Sequence, residues 1–227
     1  TEVSRGCGRG CRFCAAGYVC RPPRFRSAAA LAPAFARGIA AGKRIGLLGT
    51  AVSDHPELPA LCRSIVAQGG RWGVGSLRID RLDDEMVGLL GETGVDTVAL
   101  APEAGSQRLR DLIRKGISEA QILAAARRLA AAGIPNLRLY FLVGLPTETD
   151  EDVAAIIALT KRILHAETRG DAAPPPPGSG SPRAARKPFR RVTLSVNPFI
   201  PKAATPWQRL PLADVRATAA KIRGIAS

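Results

Sequence analysis

Short apolar runs alternate with amphipathic segments along almost the whole chain. This alternation restricts it to βαβ units built around a parallel sheet. Arg44-Ile-Gly-Leu-Leu-Gly49 reads as a buried strand. Residues 57–68 carry Leu58, Leu61, Cys62, Ile65 and Val66 at helical spacing, and Gly69-Gly70 stops that helix. The pattern predicts a strand over 74–79 and a short helix over 83–91 with Met86, Leu89 and Leu90 on one face. A strand over 97–101 follows, and Ser106 caps a helix through Ile113. In the helix over 118–132, Ser118 and Gln121 form a capping box, and Gly133 with Pro135 closes the far end. A strand over 137–143 leads to a helix capped by Thr149 and striped by Val153, Ile156, Ile157, Thr160, Ile163 and Leu164. A last strand over 191–196 and a last helix over 212–225 complete the series. Residues 27–41 supply the first crossover helix, blurred by Pro33 and Gly38, and a strand has to fit into residues 1–4. The total is six β/α units, too few for a closed eight-fold barrel.

At 227 residues with 46% hydrophobic content, the chain can bury one sizeable core. No apolar run approaches the ~18–20 residues of a membrane span. The expectation is a single core domain over 1–227 with no membrane association. Its first residue is Thr1, which marks it as a piece of a longer protein. Residues 167–187 break the pattern with Asp171-Ala-Ala-Pro-Pro-Pro-Pro-Gly-Ser-Gly-Ser-Pro182 and basic side chains after it. Proline, glycine and serine at this density cannot build a packed core, so this stretch reads as a flexible insert. The formal charge of +14, from 33 Lys and Arg against 19 Asp and Glu, leaves a nucleic-acid substrate open. Against it, Trp and Tyr number two each, too few for a stripe on which bases stack.

The cysteines define the chemistry. Cys7, Cys11 and Cys14 stand in the spacing C-x3-C-x2-C, with Phe13 just before the last. Three thiolates this close can hold three irons of a cubane cluster and leave the fourth without a protein ligand. Two other readings stay open. One is a zinc site completed by Cys20 or His55. The other is a closed electron-transfer cluster with Cys20 as fourth ligand. A disulfide framework fits poorly: the cysteines number five and no apolar signal segment precedes them. This cysteine usage points to a reducing, cytoplasmic compartment.

The cysteine motif resembles that of the radical S-adenosylmethionine (SAM) superfamily. The resemblance implies an α/β fold, an open partial (β/α)6 TIM-like barrel with parallel strands, and a site at the C-terminal strand ends. It implies a 4Fe–4S cluster on Cys7, Cys11 and Cys14 whose open iron binds SAM. Reductive cleavage of SAM would then give a 5′-deoxyadenosyl radical for hydrogen abstraction or group transfer on an unidentified substrate. It also implies a reductant such as flavodoxin or ferredoxin. Phe13 would supply backbone contact near the adenine.

Further segments resemble the elongator and methylthiotransferase branch of that family. Gly49-Thr50-Ala51 stands where many members place two glycines and a glutamate, so only backbone contact to the SAM amino group carries over. Ser76-Leu-Arg78 resembles a Ser-x-Arg whose side chains approach the SAM carboxylate or ribose. Pro102-Glu103-Ala-Gly-Ser106 resembles a Gln-Ser-Gly-Ser segment, with Glu103 placed to accept from ribose hydroxyls or the SAM ammonium. Ile113-Arg114-Lys115-Gly116 resembles a Met-Lys-Arg-Gly in which a cation pairs with carboxylate. In Phe141-Leu-Val-Gly-Leu-Pro-Thr-Glu-Thr149, Val143 and Gly144 would pack under the adenine, while Glu148 and Thr149 begin the next helix. Asn197-Pro-Phe-Ile-Pro-Lys-Ala-Ala-Thr-Pro-Trp207 resembles the stretch closing the sixth strand. The phrase around the cysteines, continued by Arg21-Pro-Pro-Arg, is most similar to members with an upstream cobalamin-binding domain, which this chain would lack. Methylthio transfer needs a second cluster, for which only Cys20 and Cys62 remain. Methyl transfer to RNA or protein, or a non-catalytic Fe–S or zinc module, stays as the alternative.

Overall fold

The computed structural model describes residues 1–168 and 189–226. Its spine is parallel. Strand β3 (Ile45–Leu47) pairs with β4 (Trp72–Val74), and β5 (Thr97–Glu103) pairs with β6 (Asn136–Val143), which pairs with β7 (Arg191–Pro198). The chain start adds a further parallel edge: Glu2 bridges Leu48, and Val3 N–H donates to Leu48 O at 2.8 Å. Beyond β4, Leu77 N–H reaches Ala99 O at 3.4 Å and links the two halves. The expected open α/β architecture with parallel strands is the one observed.

Helices cover this spine because their apolar stripes need a sheet to bury against. Helix α2 (Ala28–Ala40) starts where Ser27 Oγ accepts from Ala30 N–H, and it buries Leu31 and Phe35. Helix α3 (Leu58–Ala67) buries Leu58, Leu61, Cys62 and Ile65, and α4 (Asp84–Glu92) is capped by Asp83. Helix α5 (Gln107–Leu112) is capped by Ser106, and α6 (Glu119–Ala131) carries the expected Ser118–Gln121 capping box. Helices α7 (Asp150–Thr168) and α8 (Val215–Ala226) complete the layer. One core joins Trp72, Leu100, Leu139, Phe141 and Ile156. A satellite of Ala104, Leu109, Ile113, Leu145, Phe199 and Trp207 sits under the C-terminal strand ends, with Phe13 against it.

Three expectations need correction. The third strand spans 72–74, not 74–79, and residues 79–81 form a 3₁₀ turn. Ser76-Leu-Arg78 is therefore a loop after the strand. Leu77 and Ile79 are buried at alternate positions and mimic a strand, but Arg78 N–H donates to Ser53 Oγ at 2.9 Å instead of to a ladder. The last helix starts at Val215, not at 212, because the Asp214 carboxylate accepts from Ala217 N–H at 2.7 Å and sets the start there. A short antiparallel ribbon, β1 (Ser4–Arg5) against β2 (Arg24–Phe25), was not expected from the pattern. Its strands are too short to carry a period. The expected insert over 167–187 begins inside α7, and its remainder, 169–187, lies outside the described residues.

Candidate active site

The loop after the first parallel edge carries the cysteines. A four-residue helix α1 (Ala16–Val19) closes it, and Tyr18 Oη donates to Gly10 O at 2.9 Å. Arg12 N–H donates to Ile113 O at 3.0 Å, which fastens the loop to the end of α5. Cys7, Cys11, Phe13 and Cys14 line one cavity of about 200 Å³. The other walls come from the ends of β3, β4 and β5, with Gly49, Thr50, Ser76, Arg78 and Glu103, and from Lys115 just after α5. Ten of the residues singled out from the sequence thus meet in one place.

Gly49 is needed where it stands. A Cβ there would lie 2.2 Å from Ser4 Oγ and 2.9 Å from Ser4 O, so a side chain would push the cysteine loop away from β3. Glu103 sits on a register break of β5 with a left-handed φ of 68°. Its carboxylate accepts from Lys115 Nζ at 2.9 Å, with the two side chains 15% and 10% exposed. A non-glycine residue held in this region stores strain, and such residues gather at functional sites. Burial pushes the Cys11 thiol up, and the Lys115 and Arg78 charges pull it partly back. The Arg9 backbone N–H points at Cys7 Sγ at 3.4 Å.

Three expected residues stand apart from the cavity wall. Ser106 caps α5, and its hydroxyl donates to Asp152 at 2.5 Å. Val143 is fully buried in the core. Gly144 N–H donates to Glu148 Oε1 at 2.9 Å, and that carboxylate also takes Lys221 at 2.8 Å. Arg9 was not singled out from the sequence, yet it lines the cavity and clamps Asp54 at 2.8 and 3.2 Å. Burial pushes the Asp54 carboxyl up, but the Arg9 hydrogen bonds, with Arg78 and Arg81 near, outweigh it and hold it below the usual range. Behind Arg78, Asp80 accepts from Nη2 at 3.1 Å, while Nε lies 2.9 Å from Oδ1 without hydrogen-bond alignment. No local signal connects Arg9 with a carboxylate so far along the chain.

All five cysteines are free thiols. Among the described residues, no three His, Cys, Asp or Glu side chains converge tightly enough to hold a single ion. A cubane takes one thiolate at each of several separate irons, and Cys7, Cys11 and Cys14 are three thiols that border one cavity. Cys20 does not line the cavity. Cys62 lies fully buried on α3, where burial pushes its thiol up to about 12. His55 is engaged elsewhere, with Nε2 2.9 Å from Arg26 O.

The profile of the Radical SAM superfamily matches residues 1–160. An uncharacterized protein of Methanocaldococcus jannaschii is 36% identical over 209 residues, covering 91% of this chain and 41% of its own length. The tRNA-2-methylthio-N(6)-dimethylallyladenosine synthase of Sorangium cellulosum is 29% identical over 192 residues, covering 71% of this chain and 38% of its own length. Among solved structures, the cobalamin-dependent S-adenosylmethionine radical enzyme OxsB, with aqua-cobalamin and S-adenosylmethionine bound, superposes with a TM-score of 0.65. It is 20% identical, with 98% of this chain and 35% of OxsB covered, which is a likeness of fold. The chain belongs to the radical SAM superfamily of enzymes. It spans about two fifths of the length of the curated relatives it matches. Among the described residues, no helix is long and apolar enough to cross a membrane.

Proposed function

We propose that this chain is the SAM-cleaving core of a larger radical SAM enzyme. The observation that carries the reading is the meeting of three free cysteines with the ends of β3, β4 and β5 around one cavity. Cys7, Cys11 and Cys14 hold a 4Fe–4S cluster, and no fourth cysteine borders the cavity among the described residues. When bound, the cluster supplies the electron that cleaves SAM to methionine and a 5′-deoxyadenosyl radical. The chain's own groups bind and orient. Lys115 and Arg78 present positive charge to the SAM carboxylate, and Glu103 offers its acceptor oxygens to the ammonium or ribose. Gly49, Thr50 and Phe13 contribute backbone surface. Asp54 and Asp80 stand behind Arg9 and Arg78 and fix those guanidinium groups in place. The buried satellite under the strand ends excludes water from that side.

The radical serves hydrogen abstraction or methyl transfer on a substrate held partly by chain outside this core. The bound cobalamin of OxsB supports a cobalamin domain upstream as the partner in methyl transfer. Methylthio transfer would require a second cluster held outside this core, since beyond the three cavity cysteines the chain has only Cys20 and buried Cys62. A reductant such as flavodoxin or ferredoxin, and a cytoplasmic location, go with this reading. Anaerobic reconstitution tests it. The protein should turn brown, and on reduction it should convert SAM to methionine and 5′-deoxyadenosine. A colourless protein with one bound zinc would contradict it.

A further inference from the structure

We propose that the β1–β2 ribbon, with Arg21 and Arg26 beside it, is the docking surface for an acidic electron-carrier protein. The inference rests on the cluster reading above. Its first support is charge. Between Glu2 and Asp54 the chain has no Asp or Glu, yet it carries Arg5, Arg9, Arg12, Arg21, Arg24 and Arg26. On the ribbon, Arg5 and Arg24 are register partners, so two like charges face each other across the strands. Such a pair destabilises a hairpin unless an anion answers it. Glu2 answers in part: both of its oxygens accept from Arg5 at 2.8 Å. That contact, with Arg26 and Arg24 adding to it, holds the Glu2 carboxyl below the usual range. Arg21, Arg24 and Arg26 form no ion pair among the described residues. Arg21 and Arg24 donate to the backbone carbonyls of Gly8 and Pro22, at 2.8 and 3.2 Å.

The second support is the mount. Arg26 N–H donates to Val3 O at 3.0 Å. His55, 3% exposed, accepts from Glu57 N–H on Nδ1 at 3.1 Å, so Nε2 carries the proton and donates to Arg26 O at 2.9 Å. The Phe25 ring meets the His55 ring edge-on at 5.3 Å. A buried histidine that the mechanism does not use thus holds an exposed basic ribbon in one shape. The third support is position. The ribbon leads straight into Cys7, and Arg21 grips Gly8 inside the cysteine loop, yet Arg5, Arg21, Arg24 and Arg26 do not line the cavity. A partner seated there lies against the cluster loop and leaves the cavity mouth free. Electron transfer falls steeply with distance, so an electron donor gains from this place. A nucleic acid would need stacking faces, and the ring here, Phe25, is 38% exposed and already packs on His55. In the step served, one electron leaves the reduced carrier and enters the oxidised cluster, with no other change in either protein.

The test uses the reconstituted chain and an acidic flavodoxin as probe. Binding should be measurable at low salt and should weaken by about tenfold or more at high salt, as steered association does. The triple variant Arg21→Glu/Arg24→Glu/Arg26→Glu should lose about tenfold or more at low salt. A control with the same net charge, Arg37→Glu/Arg71→Glu/Arg216→Glu, should bind within about twofold of the parent. Equal losses in both triples would mean net charge alone and overturn the proposal. So would a ribbon variant that keeps flavodoxin but loses bulk tRNA, since the surface would then be a nucleic-acid site. If the Glu triple misfolds, the Arg→Gln triple at the same positions must show the loss instead. Dithionite needs no docking surface and should bleach the cluster equally in the parent and in Arg24→Glu/Arg26→Glu, which keeps the Arg21–Gly8 contact. A parent without iron sinks the core reading, whereas a normal cluster with unchanged flavodoxin binding sinks only the ribbon.

Discussion

Glu103 and Lys115 carry the sharpest claim at the scale of single residues. The sequence resemblance offered Glu103 as a SAM ligand and, separately, a cation nearby to pair with carboxylate. The structure joins the two at 2.9 Å, in a mostly buried place and on a strained backbone. Removing one partner leaves the other charge mostly buried and alone, so each single change costs more than the pair is worth. Glu103→Ala should lower the thermal midpoint and weaken SAM binding about tenfold, the scale of one charge-assisted hydrogen bond. Lys115→Ala should do much the same, and the double variant should cost less than the sum of the singles. Calorimetric SAM titration with thermal melts on the three variants measures this, and strict additivity would contradict the pairing. The three cavity cysteines, Gly49 and Glu103 were legible because each belongs to a local run of residues. Arg9, Asp54 and Asp80 were not, since their meeting depends on how loops from three strands converge, and sequence spacing holds no trace of that.

At the scale of elements, the junction of β5, α5 and α7 is built around two buried charges. Arg110, fully buried, donates to Ala104 O at 3.0 Å and Gly105 O at 2.8 Å and to Gln107 Oε1. These bonds shape the turn that holds Glu103. Gly105 lets α7 come close: a Cβ there would lie 2.3 Å from Ile156 N. Arg110→Met keeps the bulk but orphans two carbonyls, at roughly 1–3 kcal/mol each. Chemical denaturation should show a loss of about 2–6 kcal/mol with the denaturant slope unchanged. Asp152, buried at the start of α7, accepts from Ser106 Oγ, Thr149 N–H and Arg108. Burial pushes its carboxyl up, but these three donors win and hold it below the usual range. The sign follows. A depressed folded value adds stability above the ordinary Asp value of about 3.9, and that stability drains away as pH falls through the folded value. Asp152→Asn should therefore be less stable than the parent at neutral pH, and the gap should close below about pH 4. A gap that persists in acid would contradict the assignment. Helices with caps, such as α6, were read from sequence almost to the residue. The third strand was misplaced because Leu77 and Ile79 alternate like a strand while packing a loop.

At the scale of the whole molecule, the C-terminal ends of β3, β4 and β5 and the cysteine loop meet around one cavity. This is why residues as distant as Cys7, Gly49, Arg78, Glu103 and Lys115 become neighbours. The strand–helix alternation foretold that convergence, whereas the basic ribbon beside it rests on two-residue strands that leave no periodic mark. The central claim is that three thiolates hold the cluster and that its fourth iron is left for SAM. The direct measurement is iron content together with reductive SAM cleavage, on anaerobically reconstituted parent, Cys11→Ala and Cys20→Ala. The account predicts about four irons and SAM cleavage for the parent, the same for Cys20→Ala, and loss of both for Cys11→Ala. Loss of the cluster in Cys20→Ala would make Cys20 a fourth ligand, close the iron, and contradict the claim.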